Sequence, residues 1–156
     1  MSATVQSFEG GYDFKLDSKY RVAVPAAWRP VSGQTVNLRL LSWQHLGVPV
    51  LRVLTDKAFS AMMESIDQNE TLTVGQKAQA KSSISARIEP VHMNDQGKLA
   101  VPKKLADKMG LETSNMVYLR GRITSFDLVS PRDIEAMEAA EEKALGNLFD
   151  IVGFGE

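Results

Sequence analysis

Hydrophobic and polar positions follow the same order in two short segments of the chain. Residues 14–31 begin with alternating apolar and polar positions, pass through a polar turn over 17–20 and reach an apolar stretch that is stopped by a proline and followed by a short helical segment. Residues 91–108 repeat this order, and the run Ala-Val-Pro at 23–25 recurs 77 positions later. Period-2 alternation is typical of a half-buried strand, and proline ends a strand because it has no N–H to donate. The pattern therefore predicts one strand-turn-strand unit written twice.

The duplication divides the chain into four parts. The first copy spans 8–56, a helical connection covers 57–84, the second copy spans 85–130, and an acidic helix and tail occupy 131–156. Because a unit of about 45 residues is too small to bury a stable core alone, the two copies must share one. We expect an α+β, β-rich fold in which the two tandem repeats form one pseudo-twofold domain, with helices between and after the repeats.

Helical periodicity, composition and capping residues predict four helices, one of which, the Ala-, Gln- and Lys-rich stretch 75–85, is expected to pack between the two copies. Thr55 can cap a helix with an apolar stripe that we expect to lie in the core, namely Phe59, Met62, Met63 and Ile66. A shorter helix over 103–109 ends at Gly110, which suits the position just past a helix. Ser130, followed by a proline and a carboxylate, is a typical N-cap for the last helix. That helix is expected to present one apolar face, made of Ile134, Met137, Leu145 and Leu148.

Composition excludes several classes of protein. The 156 residues are 44% hydrophobic and 24% charged, which is ordinary for a globular chain. No stretch approaches the roughly 18 uninterrupted apolar residues of a membrane span, and residues 1–20 do not resemble a signal peptide. The absence of cysteine excludes disulfides, thiolate nucleophiles and thiolate metal ligands. We expect a cytoplasmic protein that does not act at a membrane.

Charge is unevenly distributed, although the net charge is only −1. Residues 1–124 contain 16 Lys and Arg against 11 Asp and Glu, whereas residues 125–156 contain 2 against 8. A basic duplicated region beside an acidic segment is the pattern expected when one surface meets nucleic acid. The alternative, a solvated acidic helix that only aids solubility, is equally consistent with these counts.

The first turn carries residues with the chemistry of anion or base recognition. Arg21 offers a planar fork of donors that can bind a phosphate, or the O6 and N7 atoms of guanine, with two hydrogen bonds. Asp17, four residues earlier, can hold that guanidinium across the turn or cap backbone N–H groups. The alternative is a surface ion pair without function. The second turn favours function, because Lys98 places a cation at the same offset although the surrounding sequence has changed.

The segments Leu-Asp-Ser-Lys-Tyr-Arg-Val-Ala-Val-Pro at 16–25 and Met-Asn-Asp-Gln-Gly-Lys-Leu-Ala-Val-Pro at 93–102, with the linking helices, resemble the MraZ family of bacterial transcriptional regulators. The resemblance covers nearly the whole chain. It implies two AbrB-type, swapped-hairpin-like halves, subunits joined in a ring, and a DNA-binding Asp-x-x-x-Arg turn. It also implies binding to direct repeats in the promoter of the cell-division and cell-wall operon headed by the protein's own gene, and hence a place in the nucleoid.

The sequence departs from the family pattern at three positions. Tyr20 stands where a glycine is usual, so a left-handed backbone there would cost ~1–2 kcal/mol. Asn94 replaces the aspartate of the second turn, and Lys98 replaces its arginine, which removes bidentate geometry. We therefore predict base contact for Arg21 and phosphate contact for Lys15, Lys19 and Lys98. Asp17, Asn94 and Gly97 are predicted to orient the two turns, with Gly97 free to adopt a positive φ.

Other charged residues give weaker signals. Lys103 and Lys104 are interpreted as the solvent face of a helix, and the segment from Arg120 to Arg122 as a polar hairpin tip. His45 and His92 stand alone, without a second ligand at metal spacing. No nucleophile elbow, phosphate-binding loop or dinucleotide-binding motif is present in the sequence, so we expect no catalytic residues, no metal or cofactor and no small-molecule substrate. The competing hypothesis is a ring-forming interaction protein with only weak, non-specific DNA binding.

Overall fold

The computed structural model describes residues 7–29, 35–146 and 148–151 of the chain. Its eight strands are β1 (Gly11–Lys15), β2 (Arg21–Ala23), β3 (Val36–His45), β4 (Val48–Leu54), β5 (Ile88–Met93), β6 (Lys98–Ala100), β7 (Met116–Gly121) and β8 (Ser125–Val129). Its helices are α1 (Asp56–Asp67), α2 (Val74–Ser85), α3 (Lys103–Met109), α4 (Ile134–Leu145) and the single turn α5 (Leu148–Ile151). Short 3-10 turns cover Ala26–Trp28 and Pro131–Asp133. The α+β, β-rich class is confirmed.

All eight strands belong to one antiparallel sheet, in the order β1-β7-β8-β4-β3-β5-β6-β2. The two strands at the ends of this order, β1 and β2, are consecutive in the chain and are joined by a short turn. The backbone N–H of Asp17 bonds to the carbonyl oxygen of Arg21 (2.9 Å) across that turn. The sheet therefore curls into a nearly closed barrel, and its interior is filled by side chains.

The register of β2 against β6 is symmetric about the pair Val22–Leu99. Arg21 pairs with Ala100, and Ala23 pairs with Lys98. Since Lys98 and Ala100 follow Arg21 and Ala23 by 77 positions, exchanging the two segments leaves this pairing unchanged. The first and second halves of the chain thus meet each other in equivalent positions at this point of the sheet.

The core lies inside the barrel and is built from alternate residues of its strands. The largest side chains that are almost wholly removed from solvent are Leu16, Trp28, Leu40, Leu51, Leu99, Leu119, Phe126 and Leu128. Trp28 packs edge-on against Phe8 and at a tilt against Phe126, with ring centroids 5.7 and 5.1 Å away. Burying each such side chain stabilises the fold by roughly 1.5–3 kcal/mol.

Helices α1 and α2 form a hairpin on the outer face of β3 and β4. Thr55 caps α1 as predicted, by accepting a hydrogen bond from the backbone N–H of Ala58 (3.0 Å). The expectation that the α1 stripe lies in the core is wrong, because Phe59, Met62, Met63 and Ile66 are only partly buried. The stripe covers a small outer cluster of Leu41, Leu54 and Ile84, which cannot enclose it from both sides.

The last helix begins later than its sequence suggests. Ser130 makes no side-chain cap, because the 3-10 turn Pro131–Asp133 separates it from α4. Met137 is buried against β4 and β8, but the expected apolar face does not extend to Leu148, which is 44% exposed beyond the end of α4 at Gly146. Residues 152–156 of the predicted tail lie outside the described residues. Among the described helices, none has the length and apolar character needed to cross a bilayer.

Candidate functional site

The first turn is held together by the carboxylate of Asp17. Its Oδ1 accepts hydrogen bonds from the backbone N–H groups of Lys19 (2.9 Å) and Arg21 (2.8 Å), and its Oδ2 accepts one from Nε of Arg21 (2.9 Å). Desolvation acts to raise the pKa of Asp17, but these backbone and side-chain donors prevail and lower the pKa below its ordinary value. The carboxylate therefore stays ionised at neutral pH and keeps its ion pair with Arg21.

The guanidinium of Arg21 is fixed through one nitrogen and open at the other two. Its side chain is 35% exposed. Among the described residues, the terminal amino groups Nη1 and Nη2 have no hydrogen-bond acceptor. An oriented fork of this kind can bind two acceptor atoms of a ligand at once.

The second turn has the same backbone geometry with different chemistry. Asn94 Oδ1 accepts from the backbone N–H groups of Gln96 (2.9 Å) and Lys98 (2.9 Å), as Asp17 Oδ1 does 77 positions earlier. The backbone N–H of Asn94 likewise bonds to the carbonyl oxygen of Lys98 (2.9 Å). Asn94 makes no bond to the ammonium of Lys98 in the described structure, so this cation is not held in a fixed direction.

Equivalent positions of the two turns both adopt positive φ. Tyr20 has φ 59° and Gly97 has φ 76°. The first turn therefore keeps the left-handed geometry despite its tyrosine, at a cost of ~1–2 kcal/mol. The ring of Tyr20 packs against the barrel core, and the Lys103 ammonium lies 5.9 Å from the ring centroid. These contacts with the protein offset part of the strain.

The two turns lie side by side because each binds the other's strand. The backbone N–H of Val24 donates to the carbonyl oxygen of Gly97 (2.9 Å), and that of Val101 donates to the carbonyl oxygen of Tyr20 (2.8 Å). Both pairs of residues are related by 77 positions. The pairing of β2 with β6 then turns Val22 and Leu99 inward, and the alternate residues of both strands outward.

The outward face of this strand pair brings Arg21 and Lys98 together. They occupy diagonal positions of the ladder, about 8 Å apart from strand geometry. On the same face, Ala100 lies opposite Arg21 and Ala23 lies opposite Lys98, so only small side chains flank the two cations within this strand pair. We refer to Arg21, Lys98 and these two alanines as the ribbon face.

The other two predicted cations lie near the ribbon face. Lys19 is exposed in the first turn, and Lys15 is exposed at the end of β1, which leads into that turn. Within the described residues, neither pairs with a carboxylate. Asp95, in the second turn, adds one exposed negative charge to this region. The structure thus gathers the four predicted cations around two neighbouring turns, which also contain the carboxylates of Asp17 and Asp95.

Four further basic residues singled out in the sequence pair with carboxylates of the protein, namely Lys103, Lys104, Arg120 and Arg122. On the exposed face of α3, Lys103 pairs with Asp107 (2.9 Å) and Lys104 pairs with Glu89 (2.7 Å). The interpretation of the segment from Arg120 to Arg122 as a polar hairpin tip is wrong for Arg120, because strand β7 extends to Gly121 and the connection to β8 begins only at Arg122. Both arginines turn toward α4.

Arg120 and Arg122 belong to a network that docks α4 on the sheet. Glu141 accepts from Nη1 of Arg120 and of Arg122, each at 2.7 Å. Asp127, wholly buried in β8, bonds to Nε of Arg122 and to Nε of Arg52, the latter at 2.8 Å. Sequence reasoning missed this network, although a carboxylate within the apolar strand β8 indicates a buried partner.

The electrostatics of the network favour its ionised form. Desolvation acts to raise the pKa of Glu141, but hydrogen bonds from Arg122 and Arg120 lower the pKa to about 2. Desolvation, followed by the Arg122 charge, lowers the pKa of His45. Neutral His45 then donates through Nε2 to Glu141 (3.0 Å), while its Nδ1 faces Nη2 of Arg52 (3.3 Å). His45 is thus a structural residue of this network.

Neither histidine lies in a metal site. His92 is exposed on β5. Within the described residues, no group of three or more His, Cys, Asp or Glu side chains is arranged to hold a metal ion.

No protein-family model matches the chain, and no curated protein is significantly similar to it. The family resemblance therefore depends on the residues of the two turns and on the linking helices.

Proposed function

We propose that this chain is a sequence-specific DNA-binding transcriptional regulator of the MraZ type. In this proposal two AbrB-type repeats, 8–56 and 85–130, form one pseudo-twofold unit, and several subunits assemble into a ring. The ring binds direct repeats in the promoter of the division and cell-wall operon, in the cytoplasm and at the nucleoid. The observation that carries the proposal is the Arg21 guanidinium, steadied by Asp17 and open at both terminal nitrogens.

The repeat part of the proposal is supported by reciprocal contacts. Val24 and Val101 donate to the carbonyl groups of Gly97 and Tyr20, so each turn binds the strand that follows the other. A second pairing, β4 with β8, contains the pair Leu51–Leu128, whose members are also 77 positions apart. Equivalent residues of the two halves that meet at two places in the sheet are expected from an interleaved duplication.

The role of Arg21 in reading bases is supported by its restricted geometry. Fixing its side chain before binding reduces the ordering cost by ~0.5–1.5 kcal/mol. A bidentate contact to guanine discriminates against the wrong base by about 1–3 kcal/mol. The same ion pair on the surface contributes only about 0–1 kcal/mol to folding. Its geometry therefore benefits binding more than stability.

The lysines are assigned to the phosphate backbone. Lys19 and Lys15 flank the first turn, and Lys98 lies diagonal to Arg21 on the ribbon face. An ammonium on a flexible stem is a point charge, which suits phosphate better than a planar base edge. These contacts hold the hairpin on any duplex, while Arg21 selects the sequence.

Assembly into a ring explains how so small a surface can bind tightly. One hairpin makes few contacts, but linked hairpins that face spaced repeats gain from a high effective concentration. The number of repeats should then affect binding more than the sequence of any one repeat.

Footprinting on the DNA upstream of the protein's own gene tests the proposal. We expect protected blocks at regular spacing, all lost together when alternate repeats are deleted. Native mass spectrometry of the same sample should show a closed oligomer. Uniform protection along the duplex, or none at concentrations where the oligomer is intact, would exclude sequence-specific binding.

A ring-forming interaction protein is the second candidate, and two observations favour it. The second turn has lost the ion pair and carries the exposed carboxylate of Asp95. In addition, Arg52, Arg120 and Arg122 are neutralised by Asp127 and Glu141, so much of the basic charge does not face solvent freely. This candidate predicts equal, weak affinity for the upstream duplex and for a scrambled duplex.

A further inference from the structure

The second turn lacks a guanidinium of its own, but Arg29 from the first half of the chain lies against it. Nε of Arg29 donates to the carbonyl oxygen of Val24 (2.7 Å). The side chain covers the backbone of Gly97 so closely that a Cβ at this position would collide with Nε, Cδ and Cζ of Arg29. Gly97 is buried, although it belongs to a turn.

The backbone of Val24 ties this arginine to the second turn. Its N–H donates to the carbonyl oxygen of Gly97 (2.9 Å), and its own carbonyl accepts from Arg29. Val24 directly precedes Pro25 and the 3-10 turn from which Arg29 emerges. Arg29 is therefore fixed relative to the second turn, not the first.

Residue sizes at equivalent positions account for the exchange. The second-half counterpart of Arg29 is Ala106, 77 positions later, which is wholly buried in α3. The first-half counterpart of Gly97 is Tyr20. A large residue at one position thus goes with a small one at the other. The first turn combines Tyr20 with the small Ala106, and the second turn combines Gly97 with the large Arg29. Each turn is covered by one long side chain, and at the second turn that side chain is an arginine.

The bonding state of Arg29 matches that of Arg21. Each uses Nε for an internal hydrogen bond, to Val24 and to Asp17 respectively. Among the described residues, neither has an acceptor for its terminal amino groups, and Arg29 has no carboxylate within ion-pair distance. Its side chain is partly exposed. A partly exposed, fixed guanidinium with two open nitrogens is ready for an anionic ligand.

We propose that Arg29 contacts a DNA phosphate beside the second turn, together with Lys98. The inference rests on the proposed function. The two terminal amino groups of a guanidinium held through Nε match two oxygens of one phosphate. Asp95 in the same turn repels the phosphate backbone of DNA, and a second cation beside Lys98 offsets this repulsion. Arg29 then supplies the guanidinium that position 98 lacks.

Arg29→Gln in the full chain tests the proposal. Fluorescence anisotropy is measured on the duplex upstream of the protein's own gene and on a scrambled duplex of equal length, between 0.05 and 0.3 M salt. We expect roughly fivefold weaker binding at 0.15 M salt for each engaged subunit, on both duplexes alike. The salt slope should decrease by about 0.9 per engaged subunit. Lys57→Gln, which removes an exposed cation from α1, should change neither quantity.

Arg29→Lys separates charge from packing. It keeps the cation but loses the bidentate fork, so the salt slope should stay at the wild-type value while the affinity falls about threefold to tenfold on both duplexes. A lower melting temperature of Arg29→Gln with an unchanged salt slope would overturn the proposal, since Arg29 would then only cover Gly97. A loss confined to the upstream duplex would also overturn it, because that result indicates base contact.

Failure of this inference is distinct from failure of the proposed function. If Arg21→Ala loses the preference for the upstream duplex while Arg29→Gln binds as wild type does, only the role of Arg29 is wrong. If the wild-type protein shows no preference for the upstream duplex, sequence-specific regulation is excluded whatever Arg29 does. Should Arg29→Gln not fold, Arg29→Lys decides: wild-type affinity together with a lower melting temperature would contradict phosphate contact by the guanidinium.

Discussion

The carboxylate of Asp17 accepts two hydrogen bonds from Arg21, one from the backbone N–H of Arg21 (2.8 Å) and one from its Nε (2.9 Å). The same carboxylate thus stabilises the turn and orients the Arg21 guanidinium at the end of the turn. In the second turn Asn94 performs only the first of these tasks. The difference between the two halves is therefore one of side-chain orientation, on a backbone that is the same in both.

Asp17→Asn should uncouple the two tasks. The amide oxygen can still accept from the backbone, as Asn94 does, so the free energy of unfolding should fall by no more than about 1 kcal/mol. Affinity for the upstream duplex should fall about 2- to 10-fold per engaged subunit, because Arg21 regains rotamer freedom. Anisotropy and thermal unfolding measure the two effects.

The matched control for that change is Asp13→Asn, which removes an exposed carboxylate from β1. Loss of negative charge alone should leave affinity unchanged or raise it slightly. Equal effects of the two substitutions on affinity would mean that Asp17 acts only through its charge.

Tyr20 is expected to report backbone strain. Both Tyr20→Ala and Tyr20→Gly lose the ring packed on the core, but only glycine accepts φ 59° without steric cost. We therefore expect Tyr20→Gly to be more stable than Tyr20→Ala by about 1 kcal/mol in urea unfolding. If alanine were the more stable of the two, the left-handed geometry of this turn would be contradicted.

Lys98→Ala should weaken binding on all sequences alike. The salt slope should decrease by about 0.9 for each engaged subunit, because one phosphate contact is lost. Lys57→Ala, remote on α1, serves as the control of equal charge. A loss seen on the upstream duplex and absent on the scrambled one would assign Lys98 to base contact instead.

Glu141 makes stability depend on pH in the acidic range. Its pKa is about 2 in the folded protein against an ordinary 4.5, so its contribution is complete above pH 4.5 and is lost as the pH falls toward 2. The full contribution is at most about 3 kcal/mol, because the side chain is 18% exposed. Glu141→Gln should be less stable than wild type at pH 7, and the difference should shrink below pH 4.5 in chemical denaturation.

Glu138→Gln is the control, since Glu138 is exposed on the same helix. It should follow the wild-type pH profile. A difference between wild type and Glu141→Gln that does not change between pH 4.5 and 2 would contradict the proposed charge state of the network.

Local features of the fold could be predicted from the sequence. The turn over 17–20, the 103–109 helix with Gly110 at φ 72° after it, and the cap at Thr55 all follow from residues close in the chain. Turn and cap chemistry act over a few positions, so sequence spacing is sufficient to locate them.

Long-range features could not be predicted in the same way. Asp127 binds Arg52 across 75 positions, and Glu141 reaches Arg120 from another element. Periodicity gives the face of a residue but not the partner that meets it. The apolar stripe of α1 is a further example. Its spacing predicts which face of the helix is apolar, but the depth to which that face is buried depends on the residues of the sheet against which it packs. The position of Arg29 against Gly97 likewise depends on the pairing of the two halves.

The most direct test of the central claim is the ratio of affinities for the upstream and scrambled duplexes, measured by anisotropy at 0.15 M salt for wild type and Arg21→Ala. We expect a wild-type ratio of at least about 10³ and a ratio near 1 for Arg21→Ala, with the melting temperature and oligomer mass preserved. An Arg21→Ala protein that keeps the wild-type ratio would show that the Asp17–Arg21 turn does not read DNA.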